Sequence, residues 1–410
     1  MGKSSETSRF YERISLLLAM CIFWRFSLFV ISWIGSKFFR YSPSFPYSDI
    51  FLKPSGLPEF VWTFGNFDGV HYLNIALNGY VAQFTQAFFP FYPLLIRFFY
   101  TLLPFPPIVV ALIISFVFFT LSVIMFHKLL LLDYGKNTVL WAIGFMILFP
   151  TSFYFGSIYN ESLFLFLILS SFYFARKKKW ALAILFAAIS SATRIVAVAL
   201  LPALLIEWYF QYKRSSWFMT VGKNLFSGAN RIRKHIIQFG RPELIFLSIF
   251  LSLGGLALYM VYLQKEYGDL LYFWHAQGVF GAERSGSTFI LLPQVFYRYF
   301  RILTTISPHV EMFWVALIEV VMSLITILFL VTAVLKKVRV SYVVFSTIAF
   351  IMPTFTGTLS SMPRYVLVLF PIYIVLALIP SKQLKWLLLY LSSILLTVFT
   401  IIFTRGHWLS

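Results

Sequence analysis

Hydrophobic residues along this chain come in runs of roughly 20, the length a helix needs to cross the hydrocarbon core of a bilayer, separated by short stretches rich in Lys, Arg, Pro and Gly. The runs predict crossings near 14–34, 107–127, 138–155, 160–175, 180–193, 195–211, 243–264, 311–335, 341–357, 364–380 and 386–404, about eleven in all. The segments on either side of Arg194 are short, and fit a broken or re-entrant pair as well as two full spans. The first run exceeds the core of a signal peptide and no small-residue cleavage pattern follows it, so it is expected to stay as a membrane anchor. The expected fold class is an all-α polytopic membrane protein forming one domain over residues 1–410.

Charge orients this pattern. With the N-terminus on the cytoplasmic side, the inner connections hold most of the 33 basic residues, among them Lys128, Lys136, the run Arg176 to Lys179, Lys336, Lys337, Arg339, Lys382 and Lys385. The outer connections hold Asp49, Glu59, Asp68, Glu161, Glu266, Asp269, Glu283 and Glu311, and the positive-inside bias favours this orientation. Two long outer loops result, 35–106 and 265–310, each expected to carry short amphipathic helices, and long loops in a compact protein usually carry function. A long inner stretch, 211–242, is also expected. Only Arg25 and Glu319 are expected well inside spans.

Composition agrees with this class and excludes others. With 60% hydrophobic and 11% charged residues and a mean hydropathy of +0.85, a water-soluble fold could not hide its apolar surface. A net charge of +19 would suggest nucleic acid in a soluble protein, but here the cations punctuate membrane segments, so no nucleic-acid partner is expected. The single cysteine, Cys21, lies in the first run and can form neither an internal disulfide nor a cysteine metal site. No HExxH, CxxC or acidic cluster of ligand spacing occurs, so the sequence gives no argument for a metal and calls for no cofactor.

The richest local pattern lies in the first outer loop: Asn66-Phe67-Asp68-Gly69-Val70-His71-Tyr72-Leu73-Asn74-Ile75-Ala76-Leu77-Asn78-Gly79-Tyr80, then Ala87-Phe88-Phe89-Pro90-Phe91-Tyr92-Pro93. The periodicity predicts a helix from Gly69 to Leu77 with Asp68 as its N-cap and Gly79 as its stop, and places Asp68 and His71 on one side. One reading of these residues is structural, with Asp68 capping the helix and His71 sitting at the interface. The other is catalytic: a carboxylate beside an outer pocket can act as general base on an acceptor hydroxyl attacking a glycosyl phosphate.

This stretch resembles the catalytic first loop of the PIG-V family, the second mannosyltransferase of GPI-anchor synthesis and its prokaryotic relatives. Their W-D-x-x-H-(Y/F)-L-x-I-A-x-x-G-Y element is followed by A-F-F-P-x-(F/Y)-P; here Phe67 replaces the usual tryptophan, while Asp68, His71, Tyr72, Leu73, Ile75, Ala76, Gly79, Tyr80, Ala87, Phe88, Phe89, Pro90, Tyr92 and Pro93 match. Further matches follow in order through Phe149-Pro150-Thr151-Ser152, Tyr159-Asn160-Glu161-Ser162, Ala192-Thr193-Arg194, Tyr267-Gly268-Asp269 with His275-Ala276-Gln277, and Pro363-Arg364-Tyr365. The resemblance implies a GT-C architecture, a polyprenol-phosphate-linked mannose donor of the dolichol-phosphate-mannose type, inverting transfer to a glycolipid, glycan or protein, and Asp68 as the catalytic residue. It also implies a multi-pass protein of the plasma membrane in a prokaryote, or of the endoplasmic reticulum in a eukaryote, with the active site on the non-cytoplasmic face.

Other polar residues fall at the same expected depth. Arg194 and Arg364 are costly if they face lipid, so each either snorkels to headgroups or holds the donor phosphate, for which a guanidinium is well shaped. Asn160 and Glu161 either form a helix-entry pair favoured by the dipole or bind substrate and orient Asp68. Asp269, His275, Gln277 and Arg284 in the second outer loop are candidates to line or cover the pocket. The inner loops offer no Gly-rich phosphate cradle, which disfavours a nucleotide-sugar donor. Two other readings remain compatible with the residues: a lipid-linked sugar or polysaccharide transporter, against which stands the lack of repeat symmetry, and a non-catalytic subunit of a membrane assembly, which would tolerate loss of Asp68.

Overall fold

The computed structural model describes residues 2–212, 241–279, 284, 285 and 288–408, so most of the expected inner stretch 211–242 lies outside the described residues. The described residues form helices and their connections, with no strand among them. Among the described residues six helices are long and apolar enough to cross a membrane: Ile14–Phe38, Pro107–Leu130, Ile195–Tyr212, Pro242–Tyr267, Glu311–Leu335 and Lys382–Thr404. The protein is an integral, multi-pass membrane protein.

The other five expected crossings take shorter forms. Helices Lys136–Ile147, Glu161–Arg176, Trp180–Ser191 and Val340–Thr354 span 12, 16, 12 and 15 residues, less than the roughly 20 that a lipid-facing crossing requires. Glu161–Arg176 packs between Pro107–Leu130 and Trp180–Ser191, and most of its residues are buried in protein. The expected span 364–380 is corrected. Proline halts regular helix there, and the chain runs as Met362–Tyr365, a 3-10 turn Val366–Val368 and Pro371–Ala377, almost wholly buried. Irregular backbone at membrane depth is tolerated only inside protein, and here the Tyr373 hydroxyl donates to the Leu367 carbonyl at 2.8 Å and Thr151 to that of Pro363 at 2.8 Å.

Helix Glu161–Arg176 separates two polar clusters. Around its C-terminal end Arg176 donates to both oxygens of Asp133 and to the Tyr342 hydroxyl, while nearby Arg339 pairs with Glu207. Glu207 falls inside the expected 195–211 span, so Arg25 and Glu319 are not the only ionisable residues within spans; it is tolerated because it is fully buried against Arg339 and Ser341. Arg25 is buried too, donating to the Gly156 carbonyl at 2.6 Å between the rings of Phe29 and Phe64. The N-terminal end of the same helix opens onto the cavity that concentrates the rest of the polar chemistry.

Candidate active site

The chain enters the site through a strained residue. Helix Asp68–Asn78 starts one residue earlier than expected, so Asp68 is its first helical residue and Phe67 holds the cap position with φ 57° and ψ −118°, a conformation an aromatic residue adopts only under constraint. The expectation that Asp68 caps the helix is thereby corrected: Phe67 holds the cap position and the Asp68 side chain pairs with Arg364 instead. Gly79 ends the helix as expected, at φ 79°, with its N–H donating to Ile75.

The constraint comes from both sides of Phe67. Its ring is buried against Phe45, Phe403 and Trp408. The Tyr159 hydroxyl donates to the Asn66 carbonyl at 3.0 Å and accepts from the Asp68 N–H at 3.3 Å. Asn66, fully buried, donates to the Phe403 carbonyl at 2.8 Å and accepts from Tyr41 at 3.1 Å. These bonds fix the peptides around the carboxylate rather than the carboxylate itself.

Asp68 faces a cavity of about 250 Å³ whose lining includes His71, Asn160, Glu161, Arg194, Gln277, Arg284 and Arg364. Four of these charges form an alternating chain. Arg364 donates to the Asp68 carboxylate and its Nε lies 3.4 Å from Glu161; Arg194 donates to the same Glu161 oxygen at 2.7 Å. Glu161 is 1% exposed and Asp68 20%, so the chain runs from a sealed end to an open one. The Tyr365 ring lies between the guanidiniums, 5.0 Å from that of Arg194 and 5.3 Å from that of Arg364.

Electrostatics follow from this geometry. Burial alone would push the Asp68 carboxyl up, but the Arg364 guanidinium outweighs it and holds the group below the usual carboxylate range. Burial lowers the His71 imidazole, with Asp68 pulling the other way, so His71 is neutral at neutral pH; its ring stacks on Phe88 at 5.0 Å. Asn160 stands at the cap position of Glu161–Arg176 but its side chain reaches the Thr193 carbonyl at 2.9 Å, tying the helix that carries Glu161 to the turn that carries Arg194.

The structure does not bring Asp269 and His275 to this cavity. His275 Nδ1 lies 2.6 Å from Asp269 Oδ2, whose other oxygen accepts from the Leu271 N–H, and the pair stays on the surface. The short helix Tyr272–His275, which ends on His275, brings Phe273 and Trp274 to the cavity wall instead. Sequence reasoning missed Tyr159, Tyr365 and Trp408, which support or line the site. The first two belong to the matching motifs around Asn160 and Arg364 but have no role assigned there, whereas nothing in the sequence flags Trp408.

The described residues thus form a helical membrane protein with a half-sealed cavity, one carboxylate at its mouth and guanidiniums behind it. The family model for the PIG-V mannosyltransferases matches residues 15–226, just over half of the chain, and the protein belongs to that family. It is accordingly a membrane mannosyltransferase. The matched region contains Asp68, His71, Asn160, Glu161 and Arg194, while Gln277, Arg284, Arg364 and Trp408 lie beyond it. No curated protein matches the chain.

Proposed function

We propose that this protein is an inverting, GT-C-type transferase that moves mannose from a polyprenol-phosphate carrier to a hydroxyl of a glycolipid, glycan or protein on the non-cytoplasmic face, with Asp68 as general base. The observation that carries the reading is the pairing of Asp68 with Arg364 and, through Glu161, with Arg194 in one cavity, drawn from positions far apart in the chain. A base for the acceptor and cations for a phosphate are the two chemical requirements of such a transfer.

In the step itself Asp68 takes the proton of the acceptor hydroxyl. The oxygen lone pair forms the new bond to the anomeric carbon, and the bond from that carbon to the phosphate oxygen breaks, its electron pair leaving on the polyprenyl phosphate. Arg364 and Arg194 stabilise that phosphate, which needs electrostatic support more than protonation. A phosphate that engages Arg364 draws the guanidinium from Asp68, so the carboxylate becomes a stronger base when donor is in place.

The test is transfer from radiolabelled polyprenyl-phosphate-mannose into membrane glycolipid by purified protein in liposomes, wild type against Asp68→Asn. We expect the variant to lose roughly 100- to 10 000-fold in rate while remaining folded. Equal rates in the two proteins would remove Asp68 as base, and absence of transfer in wild type across several lipid-linked hexoses would overturn the donor assignment.

A further inference from the structure

We propose that Arg284 is the residue on which the donor's phosphate first settles, an anchor supplied by the second outer loop and held ready by the segment 356–361. The inference rests on the lipid-phosphate donor proposed above and adds the group that recognises it at entry.

Among the described residues three guanidiniums line the cavity, those of Arg194, Arg284 and Arg364, against two carboxylates, Asp68 and Glu161. Two of the three are already engaged: Arg194 with Glu161 at 2.7 Å and Arg364 with Asp68. Arg284 is different. Among the described residues it makes one hydrogen bond, from Nη2 to the Ser360 hydroxyl at 3.3 Å, and no carboxylate stands within ion-pair distance. A phosphate reaching Arg194 or Arg364 must displace a buried carboxylate, which is costly because it leaves that charge without a partner. A phosphate reaching Arg284 displaces a neutral hydroxyl at long range.

The charge count points the same way. Among the described residues three cations against two anions leave one positive charge in the cavity, with His71 neutral, and a polyprenyl phosphosugar is a phosphodiester with a single negative charge. The diester therefore neutralises the cavity as it stands, through the one cation not already neutralised. As the bond to the anomeric carbon breaks, the phosphate moves toward the charge of a monophosphate, nearer −2, which calls for a second guanidinium and fits the recruitment of Arg364 during the transfer.

Arg284 is positioned rather than loose. The next residue, Ser285, donates its N–H to the Thr356 carbonyl at 2.8 Å, and the Ile290 N–H donates to Phe355 at 3.0 Å, so this stretch is laced to the wall that bears Ser360. Beside it Trp274, Met352 and Pro353 line the same cavity and offer an apolar edge for the first prenyl units.

The experiment measures binding rather than turnover, using the full chain in detergent micelles with farnesyl phosphate as its methyl ester, a phosphodiester of single negative charge like the donor, as probe and farnesol as its phosphate-free control. Wild type should prefer the methyl ester, and Arg284→Gln should weaken its binding roughly 10- to 100-fold, the range for losing a hydrogen bond to a charged group, with farnesol unchanged. Arg301→Gln, a cation on the exposed face of helix Leu292–Thr305 and outside the cavity, should bind as wild type. If Arg284→Gln melts early, Arg284→Lys serves in its place and should retain an intermediate preference. A variant that still prefers the methyl ester as strongly as wild type would overturn the assignment to Arg284 alone. A wild-type protein that binds the two probes equally would overturn the lipid-phosphate donor as well.

Discussion

Asp68 and Arg364 lie 296 positions apart in the chain and share an ion pair at the mouth of the cavity. The pair ties the first outer loop to the start of a buried, broken segment, and links the proposed base to the proposed phosphate ligand. Chemistry at either group therefore changes the other. The pairing also accounts for Arg364 at 8% exposure in a membrane protein: the guanidinium meets Asp68, Glu161 and the rings of Tyr159 and Tyr365 rather than lipid.

One consequence is a pH profile that Arg364 controls. The guanidinium holds Asp68 below the ordinary value of about 4, so the ion pair is fully present above that value and is lost only as pH falls through the depressed one. Wild-type kcat/KM should show no acid limb from Asp68 between about pH 5 and 8. In Arg364→Gln the strongest opposition to burial is gone, leaving only the weaker pull of His71 and Arg284, and the limb should move up, along with a lower plateau. Profiles measured in a His71→Gln background remove the imidazole, and superimposable normalised curves for the two proteins would refute the coupling.

A second prediction concerns Glu319, 3% exposed within the span Glu311–Leu335. Its carboxylate accepts from the Tyr299 hydroxyl at 2.6 Å and from the Ser361 N–H at 3.2 Å, while that hydroxyl also meets Thr358 and accepts from the Leu359 N–H. Ser361 has φ 67° and precedes the helix that carries Arg364, so Glu319 is a positioning residue for the phosphate side of the cavity. Glu319→Ala should lower kcat/KM for donor roughly 10- to 100-fold and weaken binding of the farnesyl phosphate methyl ester. Glu319→Gln, which keeps an acceptor for Ser361, should recover much of both. An alanine variant with wild-type kinetics and melting temperature would show that the segment holds its shape without the carboxylate.

The surface pair Asp269 and His275 gives a prediction of the opposite kind. Both face solvent and neither reaches the cavity, and exposed ion pairs contribute little. Asp269→Asn and His275→Gln should each keep kcat within about twofold of wild type, with stability changed by less than about 1 kcal/mol. A large loss of kcat in either variant would mean that the second outer loop closes over the site during turnover.

Much of this was legible in the sequence, for identifiable reasons. Long apolar runs announce membrane helices, and the stretch from Asp68 to Gly79 carries its helix and stop in local periodicity. Hydropathy failed at 364–380, because a segment buried in protein is as apolar as one facing lipid, and only its prolines hint at the break. Asp68 looked like a cap because cap propensity is local, whereas the strained Phe67 ahead of it is held by residues 91 and 337 positions away from its neighbours Asp68 and Asn66. The same distance hid the partners of Glu319 and Glu207. Asp269 and His275 were drawn toward the site by their polarity and position in an outer loop, features that a solvent-facing pair shares.

Tyr159 provides the most direct test of how the base is held. Its hydroxyl bridges the Asn66 carbonyl and the Asp68 N–H across the strained residue, and its ring is 2% exposed. Tyr159→Phe keeps the ring packing against Tyr154, Tyr72 and Phe403 and removes only the bridge. One buried carbonyl and one N–H lose that partner, a destabilisation of about 1–3 kcal/mol. Released from one side, Phe67 can relax toward an ordinary conformation and rotate Asp68 away from the acceptor. The expected outcome is a fall in kcat of roughly 10- to 100-fold, since small displacements of a catalytic group are costly, with binding of the farnesyl phosphate methyl ester nearly unchanged because Arg284 and Arg194 stay in place. A variant that loses stability but keeps wild-type kcat would assign the bridge to folding alone; one that loses phosphate binding in step with kcat would mean that Tyr159 acts through Arg364, whose guanidinium lies over its ring at 5.4 Å.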